Sequence, residues 1–177
     1  MKKYKILIIA ILTQLIFISS VQASCDLKSF QFGASYKSIV SKLNLDSEFV
    51  EPEIKGASNQ FLFAPGEEVC KSEKAFQGIP IHFLFLYNDL VQIELMGVSE
   101  SPSLITWAES IYGEIENKPN SFYQEKPIAR WFWENSNALI SYSIESVYEE
   151  VIETIIIQSL KHQKSYEKFS IEQEGGK

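Results

Sequence analysis

The sequence predicts an α+β domain, an antiparallel sheet of hairpins with two or three helices packed on it. Three observations predict it. Two pairs of extended aromatic and β-branched runs, 81–87 with 90–96 and 129–133 with 138–143, are each joined by a short polar link. Two segments, after Ser35 and after Ser101-Pro102, space apolar residues at helical intervals. At 177 residues, 45% hydrophobic and 13% aromatic, the chain can fill a small core, which excludes wholesale disorder, collagen-like repeats and a multi-pass membrane protein.

Residues 1–23 stand apart from the rest. Lys2, Lys3 and Lys5 precede an apolar run from Ile6 to Ile18, broken only by Thr13 and Gln14, and Val21-Gln22-Ala23 offers a signal-peptidase site. The expectation is a bacterial secretory signal cleaved after Ala23. A retained membrane anchor is the alternative, but the run falls short of the roughly 20 residues that a spanning helix needs. A lipoprotein signal is disfavoured by Gln22, three positions before Cys25.

Cleavage removes three lysines and no acids, so 16 basic residues become 13 against 23 acidic ones, and the net charge moves from −7 to −10. That balance excludes a general nucleic-acid binder, which needs a basic stripe to displace counterions from phosphate. Export also decides how the cysteines read. Cys25 and Cys70, the only two, would meet an oxidising compartment and are expected to form a disulfide. Closing so long a loop stabilises by about 4 kcal/mol in the chain-entropy model. A reactive or metal-binding pair is the alternative, which neither C-x-x-C spacing nor a nearby histidine supports.

Residues 24–170 are the expected domain. Phe30 to Phe32 is a short extended candidate. A helix starts at Ser35, with Ile39, Val40 and Leu43 inward and Lys37, Ser41 and Lys42 outward. Gln60 to Phe63 is a second extended candidate, followed by a turn at Pro65-Gly66. In the first hairpin Asn88-Asp89 is the expected two-residue turn. That register sets Leu86, Leu84 and His82 opposite Val91, Ile93 and Leu95 on an aliphatic face. Phe83, Phe85 and Tyr87 then lie opposite Glu94, Gln92 and Leu90 on the other face, which suits either a packed helix or a sticky surface.

The second helix takes Ser101-Pro102 as cap and first turn, places Leu104, Ala108, Ile111 and Tyr112 on one stripe, and ends at Gly113. Trp107 falls off that stripe, which makes it the most exposed candidate of the three tryptophans. The second hairpin is linked by Glu134 to Asn137, with Trp131 and Trp133 on one face and Phe132 on the other. Val151 to Ile157 is a further β-branched run. A terminal helix over Lys161-His162-Gln163-Lys164, Tyr166 and Phe169 fades into a tail, 171–177, expected to be disordered. The order helix, hairpin, helix, hairpin plus strand fits a degenerate tandem repeat with halves 24–98 and 99–170, although the residue identities of the halves do not align well.

Gly33, Ser35, Ile39 and Leu43 match the spacing G-x-[S/T]-x-x-x-[V/I]-x-x-x-L. This resembles the helix entry of the SmpA/BamE and β-lactamase-inhibitor-protein-like exported α/β domains. The resemblance implies helices laid against an antiparallel sheet, and a protein that works by binding other proteins and not by catalysis. The pattern departs from those families at Asn44, where they carry a glycine.

Chemistry-bearing motifs are sparse. His82 and His162 are the only histidines, the first expected on the aliphatic side of its hairpin and the second solvated. No G-x-S-x-G elbow, P-loop, dinucleotide fingerprint or EF-hand loop occurs, so no cofactor or metal is expected. Glu51/Glu53, Glu67/Glu68 and Glu149/Glu150/Glu153 are the paired carboxylates that glycoside hydrolysis would need, and each reads as solvated charge. Trp107, Trp131 and Trp133 could form a glycan platform but read as core. Arg130, the sole arginine, stands beside Trp131 and either serves an interface or is an ordinary strand-surface residue.

These observations lead to an expected exported, non-catalytic protein-binding module: an inhibitor, an immunity protein or an accessory factor of an envelope complex. Its acidity fits another envelope or secreted protein with a basic surface. The candidate interfaces are the face of Phe83, Phe85 and Tyr87 and the region of Arg130, Trp131 and Trp133. The alternative is a small envelope enzyme or a glycan- or peptidoglycan-binding protein.

Overall fold

The computed structural model describes residues 25, 27, 30–45, 50–99, 103–115, 128–147 and 150–175. The export signal expected over 1–23, the Ser101-Pro102 pair and Glu149 lie outside them.

Helix α1, Tyr36–Leu43, forms where the sequence places it. Ser35 is its N-cap and accepts the Ser38 N–H, while Asn44 closes it in the left-handed region at φ 51° with its N–H on the Val40 carbonyl. Phe30 to Phe32 is turn, not strand. Strand β1, Asn59–Pro65, leads directly into a one-turn helix α2, Gly66–Val69, in place of the expected turn. Gly66 is dictated by packing: a Cβ there would fall 2.2 Å from the Phe76 carbonyl oxygen. After a short 3-10 turn come β2, Pro80–Leu86, and β3, Asp89–Ser99. Helix α3, Leu104–Tyr112, precedes β4, Ile128–Glu134, β5, Ala138–Val147, and β6, Glu150–Ser159. A 3-10 turn, Leu160–His162, then opens α4, Gln163–Gly175. The tail expected to be disordered is therefore helical as far as Gly175.

All six strands join one antiparallel sheet in the order β1-β2-β3-β6-β5-β4. Each half of the chain is a helix followed by a three-strand meander, and the two meanders meet where β3 pairs with β6. This is the helix-and-hairpin order expected from the sequence, with β1 completing the first half.

The register of the first hairpin differs from expectation. Its turn residues are Tyr87 and Asn88, at φ 52° and 72°, not Asn88-Asp89. This is the left-handed pair that a tight hairpin turn demands. Asp89 consequently pairs with Leu86, and a bulge places Val91 as an extra residue before Leu84 meets Gln92. A shift of one residue reverses every side chain. Ile81, Phe83 and Phe85 now share a face with Ile93 and Leu95, and all five are buried to within 1%.

That face is the floor of the core. Tyr36 of α1 packs edge-on against Phe85, Phe30 against Phe83, and α3 lies over β6. Trp107, although off the apolar stripe of its helix, is only 3% accessible, its ring against Phe76 and its indole N–H donating to the Cys25 carbonyl. Cys25 and Cys70 form the expected disulfide, with Cα atoms 5.9 Å apart.

Glu153 is the second departure. It lies on the core side of β6, 1% exposed, and its carboxylate accepts the N–H groups of Ser103, Leu104 and Ile105 at 2.7–3.2 Å and the Tyr142 hydroxyl at 3.0 Å. Read from the sequence as solvated charge, it instead caps α3, supplying what the Ser103 side chain does not.

Helix α4 crosses to the opposite face of the sheet. Tyr166 donates to the Val91 carbonyl at 2.8 Å, and beneath it Leu86 and Val91 are fully buried although neither belongs to the main core cluster. The cover is confined to the end of the sheet near the Tyr87-Asn88 turn.

Candidate functional site

The pleat that sends Phe83 and Ile93 into the core sends the alternate residues of every strand to the other face. On β1 these are Phe61 and Phe63, on β2 His82 and Leu84, on β3 Glu94, Met96 and Val98. On β4 they are Arg130, Phe132 and Glu134, with Ile152 and Ile156 from β6. One cross-strand row runs Phe63, His82, Glu94, Ile156, Ser141 and Phe132 from one sheet edge to the other. At the usual strand spacing that row is about 24 Å wide.

Beyond the patch under α4, this face carries no helix among the described residues. Phe132 is 62% exposed, Val98 55% and Phe63 47%, with Phe61 and Met96 also exposed. The Phe61 and Phe63 rings stack with centroids 6.0 Å apart, and His82 meets Phe63 edge-on at 4.5 Å. These contacts hold the β1 aromatics flat along the sheet, where they form a firm apolar ledge.

The residues expected to form an interface divide. Phe83 and Phe85 are removed from consideration, because the observed register makes them core. Tyr87 stays half-exposed in the turn, donating to Glu172 at 3.0 Å with the Lys168 ammonium over its ring at 3.8 Å. Burial and the Glu172 carboxylate both raise its phenol pKa. Trp131 and Trp133 face the core side as a pair, as expected. Trp131 packs on Tyr142 at 5.6 Å, Trp133 donates its indole N–H to Gly113, and both are half-buried. Arg130 is exposed on the helix-free face beside Phe132. His82 also lies on that face, not on the aliphatic side.

Phe61, Phe63, Met96, Val98 and Phe132 were not singled out from the sequence. The signal for the first two was present in the Phe61-Leu62-Phe63-Ala64 alternation, whose even positions are buried. For Met96 and Val98 no signal existed without the register.

A concave feature lies at the core side, near the β4–β5 loop. It is a cavity of about 570 Å³ with Leu27, Phe30, Ile140 and Ile157 at its base and Ser159 and Lys161 among its lining. His162, expected to be solvated, is half-buried beside it and bonds Ser159 Oγ through Nδ1 at 2.7 Å. No carboxylate orients that imidazole among the described residues, and no cluster of three or more metal-binding side chains occurs among them. Comparison with protein-family models, with curated proteins and with solved structures finds no match.

Proposed function

We propose that this protein is an exported, non-catalytic protein-binding module, of the inhibitor, immunity-protein or envelope-accessory kind, that docks its partner on the helix-free face of the sheet. The observation that carries this reading is the group of five exposed large apolar side chains, Phe61, Phe63, Met96, Val98 and Phe132, on one face. Single exposed apolar residues are ordinary, but several sharing one face mark an interaction surface. The disulfide supports an extracytoplasmic setting. The helix-entry resemblance at Gly33 to Leu43 points the same way.

The test is a pull-down from an envelope extract with the wild type and with a Val98→Asp/Phe132→Asp variant, using Thr106→Asp on exposed α3 surface as control. A partner retained by the control and lost by the double variant supports the reading. Equal retention by all three places the interface elsewhere.

The cavity beneath the β4–β5 loop favours a second reading, a small-ligand or glycan binder, because such sites are concave and apolar-floored. Saturable binding of peptidoglycan fragments, abolished by Ile140→Trp, would favour it.

A further inference from the structure

The docking face is not electrically neutral, and its charges find no ion-pair partner among the described residues. Glu94 in the centre, Glu134 on β4, Glu145 on β5 and Glu150 on β6 all project to this side by strand alternation. Glu94 is half-buried and the other three are exposed. Against these four carboxylates stand Arg130, exposed, and His82, half-buried. None of the four acids, nor Arg130, forms an ion pair with a described residue; the ion pairs among those residues are Lys71–Glu68 and Lys168–Glu172. Helix α4 and the turn before it, which border the face, bring Lys161, Lys164 and Lys168 against Glu167, Glu172 and Glu174, and so leave the sign unchanged.

The charge is also polarised. The β1–β2 side is aromatic, with Phe61, Phe63, Leu84 and His82 and no carboxylate, whereas the acids lie over β3 to β6. We infer that the partner is a protein whose contact surface is itself divided, with an apolar part seated on Phe61 and Phe63 and lysines or arginines over Glu94, Glu134, Glu145 and Glu150. This inference rests on the docking reading above and names the chemistry of its partner. A second copy of this chain is the competing occupant. It would set Glu94, at the centre, near its own copy and bring two faces of the same net negative charge together, and like charges meeting in an interface are disfavoured. Carboxylates around an apolar centre would instead steer a basic partner in, and the association would weaken with salt.

The experiment titrates the full chain, followed by amide NMR, with a short amphipathic peptide of lysine and leucine and with its glutamate–leucine counterpart. Sedimentation of the free protein accompanies it. The expected result is that the lysine peptide binds at least about tenfold more tightly. Its shifts should centre on β3 to β6 of the helix-free face, and the affinity should fall about tenfold between low and high salt. A Glu134→Lys/Glu145→Lys variant should lose most of the binding. If that variant binds as well as the wild type while Val98→Asp/Phe132→Asp abolishes binding, the face stands and the basic partner is wrong. If the apolar variant changes nothing and the shifts map elsewhere, the docking reading itself fails. Equal affinity for both peptides, or a dimer of the free protein dissolved by Phe132→Asp, also overturns the inference.

Discussion

Tyr142 gives its phenolic hydrogen to Glu153 at 3.0 Å inside the core, and the same carboxylate holds the N–H groups of the N-cap residue Ser103 and of the first two residues of α3. Sheet and helix are thereby fastened at a point where the helix has no side-chain cap of its own. Glu153→Ala leaves a buried hydroxyl and several helix N–H groups without acceptors, at a cost of about 3 kcal/mol, and Glu153→Gln of about 2 kcal/mol. Urea unfolding measured by circular dichroism checks both, and a loss below 1 kcal/mol for the alanine would contradict the capping role.

Alkaline pH should act through the same pair. Burial, and then the neighbouring Glu153 carboxylate, push the Tyr142 phenol well above its ordinary value, and burial does the same to Tyr166. Below about pH 10 both phenols are protonated in folded and unfolded chains alike, so their stabilisation is fully present. Above it the unfolded chain ionises first, and stability falls by up to about 1.4 kcal/mol per pH unit for each tyrosine. Tyr142→Phe should cost about 1 kcal/mol at neutral pH and flatten the alkaline limb. Unfolding curves between pH 8 and 11 give both quantities.

The two aromatic sets should respond oppositely to the same change. Phe85→Asp puts an unpaired charge in the core floor and should abolish cooperative folding, while Phe132→Asp should shift stability by less than about 0.5 kcal/mol. Melting curves separate them directly. A stable Phe85→Asp protein would restore the aromatic face that the alternative register proposes.

Reducing the Cys25–Cys70 bridge should lower stability by about 2–4 kcal/mol. Because the Trp107 indole donates to the Cys25 carbonyl, reduction should also change tryptophan emission before global unfolding. Emission that stays constant until the unfolding transition would show that the segment at Cys25 is held by other contacts.

Local signals in the sequence were read well. The Ser35 start of α1 and the faces of the second hairpin each depend on residues within a few positions of one another, and each is found as expected. The first hairpin failed on one residue. Tyr87 is a poor candidate for the left-handed region, and it is placed there because the β-bulge at Val91 lets Phe83 and Phe85 join Ile93 and Leu95 in the core. Burial of four large side chains outweighs the strain of one turn residue. The surroundings of Trp107 and Glu153 are hidden from the local sequence for a related reason. Their partners, the Cys25 carbonyl and the start of α3, lie 82 and about 50 positions away in sequence. The helix-free face inherits the same difficulty, because it is the complement of the core and is visible only once the register is known.

The disulfide has a mechanical consequence. Residues 25–70 form a covalent ring that contains α1 and β1. A pull applied on the N-terminal side of Cys25 passes through the two sulfur atoms straight to Cys70 and never loads the chain between them. The edge strand that carries Phe61 and Phe63 is thus shielded from tension arriving at that end, and keeps its place on the sheet while force is borne further along the backbone.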